Sequence, residues 1–205
     1  MKPLFMMLKP MSGACNMRCR YCFYHDVMSH RKTRVYPRMS METLETIVRR
    51  ALRYADGPVS FAFQGGEPTL TGLDFYRALV EFQKKYNAKQ LPISNSLQTN
   101  GFDLSDDMIS FFARESFLLG VSLDGTQKLH DTWRVDAGGN PTYRRVCHTI
   151  ERLQIAHVQF NILCVVTEDV ARHPREVFET LAPYHYIQYI ACLDDFCAGK
   201  KPYSL

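Results

Sequence analysis

Strand-like and helix-like segments alternate along the whole of this chain, and that alternation narrows its fold more than any other property. Strand patterns fall at 4–8, 58–63, 91–97, 117–123, 157–166 and 186–193. Helical periodicity falls at 41–54, 73–86, 105–114, 143–155 and 170–181. Leu44, Ile47, Val48 and Ala51 form one apolar helix stripe, and Phe75, Leu79 and Phe82 another. Ser40 and Ser105 stand where N-caps belong. Strands separated by helices need crossover connections, so the six strands are expected to be parallel. Several are apolar throughout, as in a sheet covered on both faces. The pattern fits an α/β fold of the open, partial (β/α)6 barrel type, and a doubly wound flavodoxin-like sheet fits it almost as well. At 205 residues, with no internal repeat or low-complexity tract, the chain is expected to form one domain, 1–205.

Composition restricts the partners. A hydrophobic content of 46% and a charged content of 22% are ordinary for a globular domain. The net charge is +4 and no long run of like charge occurs, so no nucleic-acid partner is expected. Arg31, Lys32, Arg34 and Arg38 are locally basic; a solvated loop is the favoured reading, and a site for an acidic partner the alternative. No apolar run reaches the roughly 18 residues of a membrane span. The apolar stretch 4–8 is too short for a secretion signal, and no small-residue cleavage site follows. A cytoplasmic protein with no membrane partner is expected.

Seven cysteines are present, and Cys15, Cys19 and Cys22 sit at C-x3-C-x2-C spacing. In a reducing compartment such a cluster favours metal binding over disulfides. Three thiolates with no fourth ligand at matching spacing suit three irons of a four-iron cluster, leaving the fourth iron open to chelate a small molecule. The competing reading is zinc with His25 as fourth ligand, but His25 follows Cys22 so closely that a tetrahedral site is crowded. The cysteines follow the first strand, and parallel α/β folds place their sites at the C-terminal ends of strands. Gln64-Gly65-Gly66-Glu67-Pro68 follows the second strand in the same way. Its glycines allow a close backbone approach to a ligand, although alone they also fit a simple turn. Cys164 and Cys192 are expected to be buried, inert thiols, and Cys192 with Cys197 makes no recognisable metal pair. His130, His148, His157, His173 and His185 are dispersed and read as surface or core residues. Asp194 and Asp195 are adjacent, point apart and do not form an acid–base pair.

The string C-N-M-R-C-R-Y-C-F-Y, with Tyr21 just before the third cysteine, and the Gly-Gly-Glu-Pro motif resemble the radical S-adenosylmethionine (SAM) superfamily. Together with F-Q-G-G-E-P-T-L, S-L-Q-T-N-G, G-V-S-L-D-G and F-N-I-L-C-V-V-T, they resemble its anaerobic sulfatase-maturating enzymes over residues 4–194. The resemblance implies a [4Fe–4S] cluster on Cys15, Cys19 and Cys22, whose open iron chelates SAM. Reductive cleavage of SAM would release a 5′-deoxyadenosyl radical, and an active-site cysteine or serine of a sulfatase polypeptide would be oxidised to Cα-formylglycine. It further implies that the Tyr21 backbone lies near the adenine and that Gln64, Gly65, Gly66 and Glu67 line the methionine end. Ser122 and Arg134 would lie near the ribose and carboxylate, and Leu193 would pack by the adenine. Tyr24 and Gln64 would touch the target peptide. An electron donor such as flavodoxin or ferredoxin is implied as well.

Three of these positions also have a purely structural reading. Ser122 fits a turn residue before Asp124-Gly125, Arg134 a surface residue beside Asp131, and Leu193 a core residue at a strand end. Members of the family are longer, and their C-terminal part carries further cysteines for two auxiliary clusters and a proton-accepting aspartate. Neither feature occurs here, and 196–205 reads as a loop with no sixth helix after it. The chain is therefore expected to be the superfamily's core domain from a longer protein. A catalytically incompetent metal-binding remnant, or a radical SAM enzyme modifying a different peptide, are the competing readings.

Overall fold

The computed structural model describes residues 2–184 and 186–193. β1 (Leu4–Leu8) leads through the cysteine loop into a short helix, α1 (Phe23–Ser29), and then α2 (Met41–Tyr54). β2 (Val59–Phe63) is followed by a 3-10 turn, Pro68–Thr71, and α3 (Leu73–Tyr86). β3 (Ile93–Thr99) precedes α4 (Asp106–Arg114), and β4 (Leu118–Ser122) precedes α5 (Gln127–Trp133) and α6 (Tyr143–Ile155). β5 (Gln159–Val166) precedes α7 (Glu168–Ala171), α8 (Pro174–Leu181) and β6 (Ile187–Ala191). Ser40 and Ser105 are the N-caps expected of them, accepting from the N–H groups of Thr43 and Met108.

Local chemistry explains where the elements depart from the sequence pattern. The helix expected over 170–181 is two helices. Pro174 has no N–H to continue the ladder, and His173 before it leaves helical geometry at φ −124°, ψ 48°. β3 starts at Ile93, after Pro92, and runs on to Thr99. The short helices α1 and α5 lie in strand-to-helix connections to which the sequence pattern assigns no element. The expectations for His185, Asp194, Asp195, Cys197 and 196–205, including the absent sixth helix, fall outside the described residues.

The strand order is β1-β2-β3-β4-β5-β6, and every neighbouring pair is parallel. Right-handed crossovers between sequential strands all land on the same face. A doubly wound sheet needs a reversal of strand order, so that alternative is overturned and the open half-barrel stands. Coverage of both sheet faces is also not found. The helix-bearing face is buried: Val59, Phe61, Phe63, Leu97, Leu119 and Ile162 pack against Leu44, Val48, Leu79, Phe112, Ile150 and Leu153. On the opposite face Phe5 is 64% exposed and Met7 52%. With Leu118, Leu163 and Ile190 they line an open hollow of about 410 Å³.

An aromatic knot ties this core to the loops above it. Tyr76 packs edge-on against Phe63, Phe75, Phe112 and Phe117, with ring centroids 5.3–6.0 Å away. Such pairs contribute about 1 kcal/mol each beyond burial. The Tyr76 hydroxyl donates to the Pro68 carbonyl at 2.9 Å, anchoring the turn after the double glycine. Among the described residues, no helix is long and apolar enough to cross a membrane.

Candidate functional site

The loop after β1 brings Cys15, Cys19 and Cys22 to one cavity of about 250 Å³ at the C-terminal ends of the strands. Backbone bonds hold the loop to the end of α5 and the residues after it: Arg20 N–H donates to the Trp133 carbonyl and Arg18 N–H to that of Val135, both at 2.8 Å. Cys22 N–H donates to the Cys19 carbonyl at 3.1 Å, closing the turn that starts α1. Cys15 Sγ accepts from Met17 N–H at 3.4 Å and from Asn100 Nδ2 at 3.5 Å. Burial pushes the Cys15 thiol up and the Cys19 thiol up to about 12. Ligation must therefore displace these protons, as metal binding to thiols does.

The arrangement separates a cluster from a single ion. Among the described residues, no three His, Cys, Asp or Glu side chains converge closely enough to hold one metal ion. His25 lines a different cavity, outside the loop, with Cys15 and Arg18. Both observations argue against zinc. Cys15, Cys19 and Cys22, spread around one cavity, fit the corners of a larger iron–sulfur cluster, and three ligands leave one iron open.

The double glycine positions that loop. Gly66 N–H donates to the Ser12 carbonyl at 2.9 Å and Glu67 N–H to that of Ala14 at 2.8 Å. A Cβ on Gly66 would come within 2.0 Å of the Ala14 carbonyl oxygen. Gly65 has φ +122°, where its Cβ would lie 2.7 Å from the Ser12 oxygen. These glycines therefore let the β2 loop press against the chain that leads into Cys15, while Gln64, Gly65 and Gly66 line the cavity. Glu67 is placed differently from its neighbours. It is buried behind the wall, where Oε1 accepts from Thr69 N–H at 3.1 Å, Thr69 Oγ1 at 2.7 Å and Thr99 Oγ1 at 3.0 Å. Its Oε2 accepts from Asn100 N–H at 2.7 Å. Burial raises its pKa and these bonds counter the shift. The carboxylate joins the ends of β2 and β3 rather than facing a ligand.

The opposite wall is built on Asp124, which is fully buried just after β4. Arg134 donates to it from Nε at 2.7 Å and from Nη2 at 3.3 Å. The Tyr21 hydroxyl donates to Oδ2 at 2.5 Å, and Val165 N–H to Oδ1 at 2.9 Å. Arg134 is 6% exposed, so it is not a surface residue beside Asp131. Asp131 instead accepts from the N–H groups of Thr142 and Tyr143. Burial opposes the Arg134 charge, but Asp124, with Tyr21 and Cys19, raises its pKa well above the usual value. The guanidinium carries five N–H groups, of which Asp124 takes one from Nε and one from Nη2, and Arg134 lines the cavity. A permanent buried cation in the cavity lining, with more N–H groups than Asp124 uses, suits a ligand carboxylate.

The other expected residues gather at the same place. Ser122 is buried in the wall, its Oγ accepting from Gln98 Nε2 at 3.1 Å. Tyr21 and Tyr24 line the cavity, as does Leu193, which at 55% exposure stands at the rim and not in the core. Cys164 and Cys192 are buried as expected, and Cys192 borders the cavity. Sequence reasoning missed Asp124, Asn100 and Gln98. Asp124 was read only as the turn ending a strand, and Asn100 and Gln98 were present in the S-L-Q-T-N-G string without a role.

The Radical SAM superfamily model matches residues 10–181. A parallel half-barrel with three cysteines at the mouth of its first strand defines the same class, and this chain belongs to the radical SAM superfamily, whose cofactors are a [4Fe–4S] cluster and SAM. The chain is 44% identical, over its whole length, to a cysteine-type anaerobic sulfatase-maturating enzyme of Clostridium perfringens, and spans 56% of that relative. It is 36% identical to a serine-type enzyme of Bacteroides thetaiotaomicron over 92% of the chain and 46% of the relative. It resembles structures of native anSMEcpe with bound AdoMet, without and with the Kp18Cys peptide, at TM-scores of 0.94 and 0.93. Both matches have 43% identity and cover 99% of this chain and 56% of the other.

Proposed function

We propose that this chain is the SAM-cleaving core of an anaerobic sulfatase-maturating enzyme that oxidises a sulfatase cysteine to Cα-formylglycine. One observation carries the reading: Cys15, Cys19, Cys22, Gly65, Gly66 and Arg134 line a single cavity at the strand ends. Cys15, Cys19 and Cys22 hold the [4Fe–4S] cluster. Bound together, the cluster and SAM supply the radical chemistry that removes a hydrogen atom from the substrate. Arg134, held by Asp124, pairs with the methionine carboxylate, and the Gln64–Gly66 backbone faces the methionine amino group. Ser122 lies by the ribose, and the Tyr21 backbone and Leu193 flank the adenine. Tyr24 and Gln64 meet the peptide. The higher identity to the cysteine-type relative supports cysteine over serine as the target. A flavodoxin or ferredoxin supplies the electron.

The test is anaerobic reconstitution with iron and sulfide, reduction with dithionite in the presence of SAM, and quantification of 5′-deoxyadenosine. Product is expected from the parent chain and none from Cys19→Ala. A sulfatase-derived cysteine peptide should then lose the mass expected for formylglycine formation, and its serine counterpart should react more slowly. A chain with a full cluster and no 5′-deoxyadenosine would overturn the reading.

A further inference from the structure

Residues 18–38 carry six Arg and Lys against a single acidic residue, Asp26. Asp26 is buried and pairs with His30 at 3.2 Å, so it offers the surface little negative charge. Arg18, Arg20, Arg31, Lys32 and Arg34 are exposed. Among the described residues none of these five forms an ion pair. Cations elsewhere on the surface do find carboxylates: Lys85 on Glu45 at 2.8 Å, Lys89 on Asp56 at 2.9 Å, Arg145 on Asp103 at 3.3 Å. Unpaired like charges gathered in one region repel one another, and they also raise the local concentration of an anionic partner.

Their position says which partner. Cys15 borders two cavities. The inner one holds the other cysteines and Arg134. The outer one, about 660 Å³, is lined by Cys15, Arg18, His25, Arg34 and Val35. Two of the five cations, Arg18 and Arg34, therefore line a cavity that Cys15 shares and that the other two cluster cysteines do not border. Val35 and Tyr36, 44% and 56% exposed, add an apolar centre to the charged rim, the composition of a transient protein interface.

We propose that Arg18, Arg20, Arg31, Lys32 and Arg34 form the docking surface for an acidic one-electron carrier protein. The carrier gives up one electron through the Cys15 side of the loop, and the cluster gains it. This rests on the radical SAM reading above and adds where the carrier binds. Arg18 is kept out of the test because its Nη1 donates to the Cys15 and Met17 carbonyls at 3.2 Å and so supports the loop itself.

The experiment compares the reconstituted parent chain with the triple variant Arg31→Glu, Lys32→Glu, Arg34→Glu. Binding of a purified acidic flavodoxin is measured by fluorescence anisotropy from low to physiological ionic strength. SAM cleavage is measured with that flavodoxin, reduced, and separately with dithionite, which needs no docking. The expected result is at least about tenfold weaker flavodoxin binding and a flatter salt dependence. Flavodoxin-driven cleavage should fall with it, while dithionite-driven cleavage stays within about twofold of the parent. Unchanged flavodoxin affinity in the triple variant would overturn the docking surface. So would parent affinity for a labelled oligonucleotide equal to that for flavodoxin, which would make the patch a general polyanion site. If the parent binds flavodoxin through the patch but makes no 5′-deoxyadenosine with dithionite, the functional reading fails and the docking surface stands.

Discussion

Asp124 and Arg134, ten residues apart in sequence, meet in the cavity wall through two hydrogen bonds, from Nε at 2.7 Å and from Nη2 at 3.3 Å. The same carboxylate receives the Tyr21 hydroxyl and the Val165 N–H. One buried group thus fixes the proposed SAM-carboxylate donor, the cysteine loop and β5. In Asp124→Asn the shape remains but the buried guanidinium loses its counter-charge. Removing one partner of such a pair costs about 3–5 kcal/mol. The variant should melt well below the parent and bind SAM about tenfold more weakly in equilibrium dialysis. Parent-like SAM affinity would show that Asp124 does not position the site.

Arg134→Lys separates charge from geometry. Lysine keeps the cation but cannot span Asp124 and a ligand carboxylate at once with a planar fork. Iron content after reconstitution should match the parent, and SAM affinity should drop by about tenfold. Loss of iron instead would place Arg134 with the cysteine loop rather than with the ligand.

Gly66→Ala tests the contact between the two loops. The new methyl would sit 2.0 Å from the Ala14 oxygen, so the chain entering Cys15 must move. Overpacking of this kind costs about 1–3 kcal/mol. Lower iron content per chain is expected in addition to a lower Tm. Gly72→Ala is the control. It is strained by φ +82° but meets nothing within 4 Å, so it should lower Tm and leave iron content unchanged.

His130 should make stability depend on pH. Asp124 N–H donates to its Nδ1 at 3.3 Å, so Nε2 carries the proton toward Thr142 Oγ1 at 3.1 Å, and Thr142 Oγ1 donates to the Arg134 carbonyl. A second proton on Nδ1 would break the first bond. Burial lowers the His130 pKa from 6.5 to about 4. Between those values the unfolded chain binds more protons than the folded one, so stability rises with pH across the window and levels off above it. The effect is about 3 kcal/mol at most. Urea midpoints from pH 4 to 7 should show this rise in the parent and a shallower one in His130→Asn.

The cysteine loop, the double glycine and the six strands were legible because each is a local pattern. Three thiols within eight residues share one turn whatever surrounds them, and strand periodicity marks which segments join a sheet. Glu67 shows the limit of a motif. Its neighbours line the cavity, yet its carboxylate faces Thr69, Thr99 and Asn100, because the chain turns once β3 has taken its place beside β2.

Sequence by itself determined a parallel α/β chain of the radical SAM class, with its cluster ligands and glycine turn at the strand ends. Those properties depend on periodicity and on spacings of a few residues, which survive without knowledge of distant neighbours. Only the tertiary structure decided that the sheet is singly wound, because crossover direction and strand order are not encoded in any single segment. It alone left Phe5 and Met7 on an open face. It alone chose Asp124 over the nearer Asp131 as the partner of Arg134. Burial makes that choice: the guanidinium lies between the cysteine loop and β4, where its charge is stable only beside a carboxylate buried with it.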